Sequence, residues 1–295
     1  MKKFVSELLL ALCAAGVFLN AQDSPQKKTS VNTSTEKRIS ISSLPDNIKL
    51  IVGQGEEHYL PRVKAIHALP SDLPPDQIQA CYDFLYRKIE TQKLRDLEFN
   101  GLKNELVWEL IRQKVKPQEL SGHLVRMYRD KSYDITWRDY CVQFFAKWYP
   151  AAPRNQARKE MVAGLWDALK NERQNRIAGT ASSMLCFLAL QYPEFDKTKV
   201  SQESLEALLD PTTSKISKVA LLQACAELEN KKALPEARLI ASTEKHPVLR
   251  ASAIAFLGRL GDQSDLLLLK RFEKSHDIRM QRPAKVAIEK ILSRK

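Results

Sequence analysis

His246-Pro247-Val248-Leu249-Arg250-Ala251-Ser252-Ala253-Ile254-Ala255-Phe256-Leu257-Gly258-Arg259-Leu260-Gly261-Asp262 is the stretch whose reading decides the fold. Pro247 suits the first turn of a helix, where its missing N–H is no loss. From Val248 to Leu260 nearly every side of that helix is apolar, so it must be covered on more than one face. Ala251, Ala253 and Ala255 are expected to let neighbouring helix axes approach closely. Gly261 is expected to stop the helix in the left-handed conformation, and Asp262 or Ser264 to cap the next one. Leu266 to Leu269 and Phe272 then supply a second helix.

The pattern recurs. Thirty-two residues earlier, Ile216, Lys218, Leu221, Ala224, Cys225 and Leu228 fall on Val248, Arg250, Ala253, Phe256, Leu257 and Leu260. Thirty-one residues later, Asp277, Ala284, Ala287, Ile288 and Ile291 fall on His246, Ala253, Phe256, Leu257 and Leu260. Two shifts of nearly equal length with apolar and small positions in register indicate an internal repeat of about 30 residues, one helix pair per unit. Pro283 falls inside the first helix of the last unit and is expected to delay or kink it. Upstream, Leu102, Leu106 and Leu110 form one stripe and Met161, Val162, Leu165, Trp166 and Leu169 another. Breaks at Pro70, Pro74, Pro117, Pro150, Pro153, Pro193, Pro211 and Pro235 separate them, the rhythm of antiparallel helices joined by short turns. With only 9 glycines and no clusters of them, a turn-rich β architecture is disfavoured.

Pro247, Val248, Arg250, Ala253 and Leu257 resemble the first helix of a short HEAT repeat, and the resemblance covers roughly 214–291. It implies an all-α fold, a right-handed α-α superhelix, that is, an armadillo-type solenoid of antiparallel helix pairs. The second helices of such a solenoid line one curved face, commonly used for protein partners. The position of Arg250 is Lys218 one unit earlier and Gln281 one unit later.

The two ends carry different information. Lys2 and Lys3, the apolar run Leu8 to Leu19, and Ala21 before Gln22-Asp23-Ser24 read as a bacterial export leader over 1–21, cut after Ala21. An uncleaved anchor and a lipoprotein at Cys13 compete with that reading. Residues 22–45 are rich in Ser, Thr, Lys and Gln and read as a polar tether, with Ile39 and Ile41 alternating as a short strand would. The helical array is expected over 46–295. Charge is polarised: 7 Lys/Arg against 9 Asp/Glu from 45 to 98, but 9 against 3 from 268 to 295, within an overall formal charge of +12. Lys270, Arg271, Lys274, Arg279, Arg282 and Lys285 are therefore candidate anion-binding residues, for an anionic polymer, a membrane surface or an acidic protein. A solvated last repeat is the competing account.

Chemistry is sparse. Cys81, Cys141, Cys186 and Cys225 sit in apolar helical runs and fit buried thiols better than a disulfide framework or a zinc site. His58, His67, His123, His246 and His276 form no metal-ligand pairing, and no cofactor motif is present. His246 and His276 are expected in equivalent structural turns. Metal-dependent hydroxylases built on HEAT repeats carry His-Glu dipeptides, whereas this chain has only the reversed Glu57-His58. Asp134, Trp137, Arg138, Asp139 and Arg173 could form a base-stacking pocket of the kind some HEAT-like DNA-repair enzymes use, but Trp108 and Trp166 fit ordinary apolar stripes. The leader also argues against genomic nucleic acid as a partner. The expectation is a non-catalytic scaffold of the cell envelope that binds a protein. An anion binder is the alternative and an enzyme the second alternative.

Overall fold

The structure, a computed structural model, describes residues 41–53, 58–88 and 94–294. Residues 1–40, where the leader and most of the tether are expected, lie outside the described residues. Of the tether's last residues, Ile41–Ser43 form a 3-10 turn rather than a strand, and Leu44 is buried.

Among the described residues the chain is all-α. Its helices are α1 (Asp46–Val52), α2 (Tyr59–His67), α3 (Pro75–Leu85), α4 (Asp96–Arg112), α5 (Leu120–Arg129), α6 (Ile135–Trp148) and α7 (Gln156–Asn171). They continue as α8 (Ile177–Gln191), α9 (Lys197–Leu209), α10 (Lys215–Glu227), α11 (Leu234–Thr243), α12 (Pro247–Leu260), α13 (Leu266–Glu273) and α14 (Ile278–Ser293). From α4 onward, alternate helices pack on one another: α4 on α6, α6 on α8, α8 on α10, α10 on α12 and α12 on α14. The intervening helices α5, α7, α9, α11 and α13 each pack against the member of this row that follows them. The apolar core lies between the two sets, with Trp137, Trp148, Phe144 and Phe145 on α6 and Phe256 on α12 almost fully buried.

The last three helices of the main row start at nearly equal spacing, consistent with a helical repeat. Helices α10, α12 and α14 begin at 215, 247 and 278, so their starts are 32 and 31 residues apart. Each is capped by the residue before it. Ser214 accepts from Ser217 N at 3.2 Å, His246 from Leu249 N at 3.4 Å, and Asp277 from Arg279 N at 2.9 Å. A side-chain acceptor at this position satisfies one of the N–H groups that the first turn leaves unpaired. His246 thus has a turn role, but its counterpart is Asp277; His276 is exposed one residue earlier. Upstream the spacing lengthens, with α4, α6 and α8 beginning at 96, 135 and 177.

Three local expectations change. Helix α14 starts on schedule at Ile278 and carries Pro283 within it, because Asp277 fixes the first turn before the proline is reached. Gly261 is extended, at φ −70° and ψ 178°, not left-handed. It is glycine for space: a Cβ there would lie 2.4 Å from Asp265 Oδ2 and 2.6 Å from Leu257 O. Asp262 and Asp265 beside it form a capping box into α13. Of the three alanines on α12, Ala253 is buried, Ala251 half-buried and Ala255 exposed. The close approach is made instead by Gly258, where a Cβ would sit 2.6 Å from Ala287 Cβ on α14. Gly179 does the same upstream, since its Cβ would meet Ser217 Cα at 2.8 Å where α8 crosses α10.

Candidate functional site

The six basic candidates fall on the last two helices. Lys270 and Arg271 occupy the final turn of α13, Lys274 is its C-cap, and Arg279, Arg282 and Lys285 lie on α14. All six are exposed. Arg279 is engaged locally, its Nη2 2.8 Å from Asp277 Oδ2 and its Nε 2.9 Å from Oδ1. The other five form no ion pair with a described residue. Helix α14 divides cleanly. Met280, Ala284, Ala287, Ile288 and Ile291 are buried, whereas Ile278, Arg282, Lys285, Val286, Glu289 and Leu292 are exposed. The exposed positions fall at spacings of three and four, which places them on one face of a helix.

The Asp134, Trp137, Arg138, Asp139 and Arg173 group is committed to holding helices together. Asp134 caps α6 by accepting from Thr136 N and Trp137 N, both at 3.0 Å, and also accepts from Asn100 Nδ2 of α4 at 2.8 Å. Arg138 donates through Nε to Tyr128 O at 2.9 Å and is paired with Glu172, both side chains nearly buried. Burial pushes the Glu172 carboxyl up, but hydrogen bonds from Lys131, Asn175 and Arg138 outweigh it and hold the group below the usual carboxylate range. Asp139 is raised by burial, against the opposing charge of Arg176 and hydrogen bonds from Thr180 and Gln143. Arg173 reaches Asp210 at 2.6 Å. There the Thr212 and Arg173 hydrogen bonds lower the carboxyl to about 2. Trp137 is fully buried, with Lys103 Nζ 4.8 Å from its ring centroid, so it has no open face for a stacked base. Trp148 is equally buried and donates to Ser121 Oγ at 2.9 Å. Trp108 packs edge-on against Phe144, and Trp166 lies under Lys199.

A second polar cluster carries no signal in the sequence. His123 on α5 is buried and stacks on Tyr82 of α3 with ring centroids 3.9 Å apart. Its Nδ1 lies 3.0 Å from Tyr86 Oη and 2.9 Å from Arg126 Nη2, and Arg126 Nε donates to Tyr86 Oη at 2.9 Å. With donors converging on Nδ1, the neutral ring carries its hydrogen on Nε2, which has no hydrogen-bond partner. Burial, then the charge of Arg126, lowers the imidazole to about 4. This set ties α3 to α5 with an uncharged histidine.

The four cysteines among the described residues, Cys81, Cys141, Cys186 and Cys225, are buried. Burial raises the Cys81, Cys186 and Cys225 thiols to about 12 and raises Cys141 as well. Thiols so held are poor nucleophiles and poor metal ligands. Among the described residues no group of three His, Cys, Asp or Glu side chains could hold a metal, and no helix is long and apolar enough to cross a membrane. An open hollow near the other end is lined by His58, Tyr59, Leu60, Pro61, Lys64, Leu94 and Glu98, and it includes none of the candidate residues. No protein-family model matches this chain, and no curated protein matches it.

Proposed function

We propose that the chain is a non-catalytic scaffold of the cell envelope, a HEAT-like α-solenoid that binds a protein partner along its second helices. The observation that carries the reading is a set of solvent-facing leucines on that side of the pairs. Leu209 on α9 is 52% exposed, Leu239 on α11 54% and Leu267 on α13 71%. One large apolar side chain per second helix, over three consecutive units, is the kind of spaced anchor an extended protein interface uses. Part-buried and exposed polar side chains that bridge neighbouring helix pairs support the same reading, since they fix one pair on the next. Arg176 donates to Thr136 Oγ1 at 2.6 Å, Ser217 to Asn175 O at 2.6 Å, and Lys215 to Glu244 at 2.9 Å.

Affinity capture from envelope extract in high salt tests the proposal, with Leu209→Glu/Leu239→Glu as the comparison. The wild-type chain should retain a protein that the double variant loses by more than about 30-fold, the scale of a two-residue anchor. Capture of nothing, or of the same protein equally by both, would overturn it. A second reading, a binder of an anionic polymer or membrane surface, is favoured by the five exposed cations of α13 and α14 that lack ion pairs.

A further inference from the structure

We infer that the outward face of the terminal helix pair docks on an anionic phospholipid bilayer, which deepens the anion-binding reading and rests on it. On α14 the exposed stripe mixes apolar and basic groups: Ile278 at 52% exposure, Val286 at 48% and Leu292 at 59% share it with Arg282, Lys285 and one acid, Glu289. On α13, Lys270, Arg271 and Lys274 share one exposed stripe at spacings of three and four. Helix α14 packs mainly on α12 and α13, and the residues of its outer stripe remain exposed.

Charge complementarity selects an anionic occupant, because the single acid in the α14 stripe, Glu289, is outnumbered by the surrounding cations. The apolar side chains then discriminate among anions. A soluble polyanion offers nothing to Ile278, Val286 and Leu292. A bilayer offers headgroup phosphates to the cations and an acyl boundary to the apolar groups, the requirement of a basic amphipathic helix lying in the interface. A second copy of this chain is a poorer fit. Its acidic helix α3 exposes Asp76 and Asp83, but the apolar Ile78 between them is half-buried.

The test is co-sedimentation of the full chain with phosphatidylcholine vesicles, with and without phosphatidylglycerol, and with inorganic polyphosphate as the soluble polyanion. Neutral vesicles report binding through other parts of the chain, so the anionic increment is the readout. Arg282→Glu/Lys285→Glu should cut that increment by at least about 25-fold, at roughly fivefold per neutralised cation. Val286→Ser/Leu292→Ser should cut it by about tenfold while leaving polyphosphate binding unchanged. Circular dichroism is the check that these surface variants remain folded. If the apolar variant binds anionic vesicles like the wild type, the bilayer is overturned while anion binding stands. If neither anionic vesicles nor polyphosphate are bound above neutral vesicles, both fall. If the charge reversal changes only the oligomeric state, a second copy is the occupant and the bilayer is again overturned.

Discussion

Gly179 stands where α8 and α10 come closest, and the space it leaves is filled by the backbone of Ser217. A methyl group there has no flexible side chain to displace. Gly179→Ala should therefore destabilise by about 1–3 kcal/mol, the range for overpacking a close contact, read as a lowered denaturation midpoint with unchanged slope. An unchanged midpoint would show that the two helices can part freely. His123 gives the folded state an acid dependence. Its folded-state value of about 4 lies below the ordinary 6.5, so between those pH values the unfolded chain binds a proton that the folded chain refuses. The contribution of this histidine to stability is complete above pH 6.5 and is lost as pH drops toward 4, by on the order of 3 kcal/mol. Glu119, Arg126, Tyr82 and Tyr86 are the polar groups that face this ring. In His123→Asn the amide oxygen keeps an acceptor for Tyr86 and Arg126, and the variant should lose that slope. An equally steep acid dependence in the variant would place the titrating group elsewhere.

Helices in this chain are tied to one another by buried charge as well as by apolar contact. Glu172, just beyond α7, accepts from Lys131 and from Arg138 of α6. Glu172→Gln leaves Arg138 buried without its counter-charge and should cost about 3 kcal/mol, whereas Arg138→Met/Glu172→Leu should recover most of that loss. Equal destabilisation of both variants in chemical denaturation would mean that packing, not charge, holds this junction. This element also marks what could be read in advance. The period near 30 residues was legible because Ala253, Leu257 and their counterparts repeat along the chain, and side-chain caps at Ser214, His246 and Asp277 preserve it. Gly258 was not legible as a contact, since its reason lies in Ala287 on another helix. The His123 cluster was hidden for the same reason: Tyr86 is 37 residues away, and no local pattern joins them. The basic stripe of α14 was legible as charge. That it interleaves with exposed Ile278, Val286 and Leu292 needed the burial pattern.

For the whole molecule, the order of packing matters more than any one contact. Successive helices of the main row from α4 onward touch one another, and α14 rests mainly on α12 and its partner α13. In such an array stability is a sum of unit and nearest-neighbour terms, so damage at one junction should stay near it. A single cooperative core would spread the same damage everywhere. Native-state hydrogen exchange on Gly258→Leu separates the two cases directly, because that side chain must push α12 and α14 apart. The repeat account predicts faster exchange of amides in 263–293 and unchanged protection in α6 and α8. Equal acceleration from α1 to α14 would contradict it.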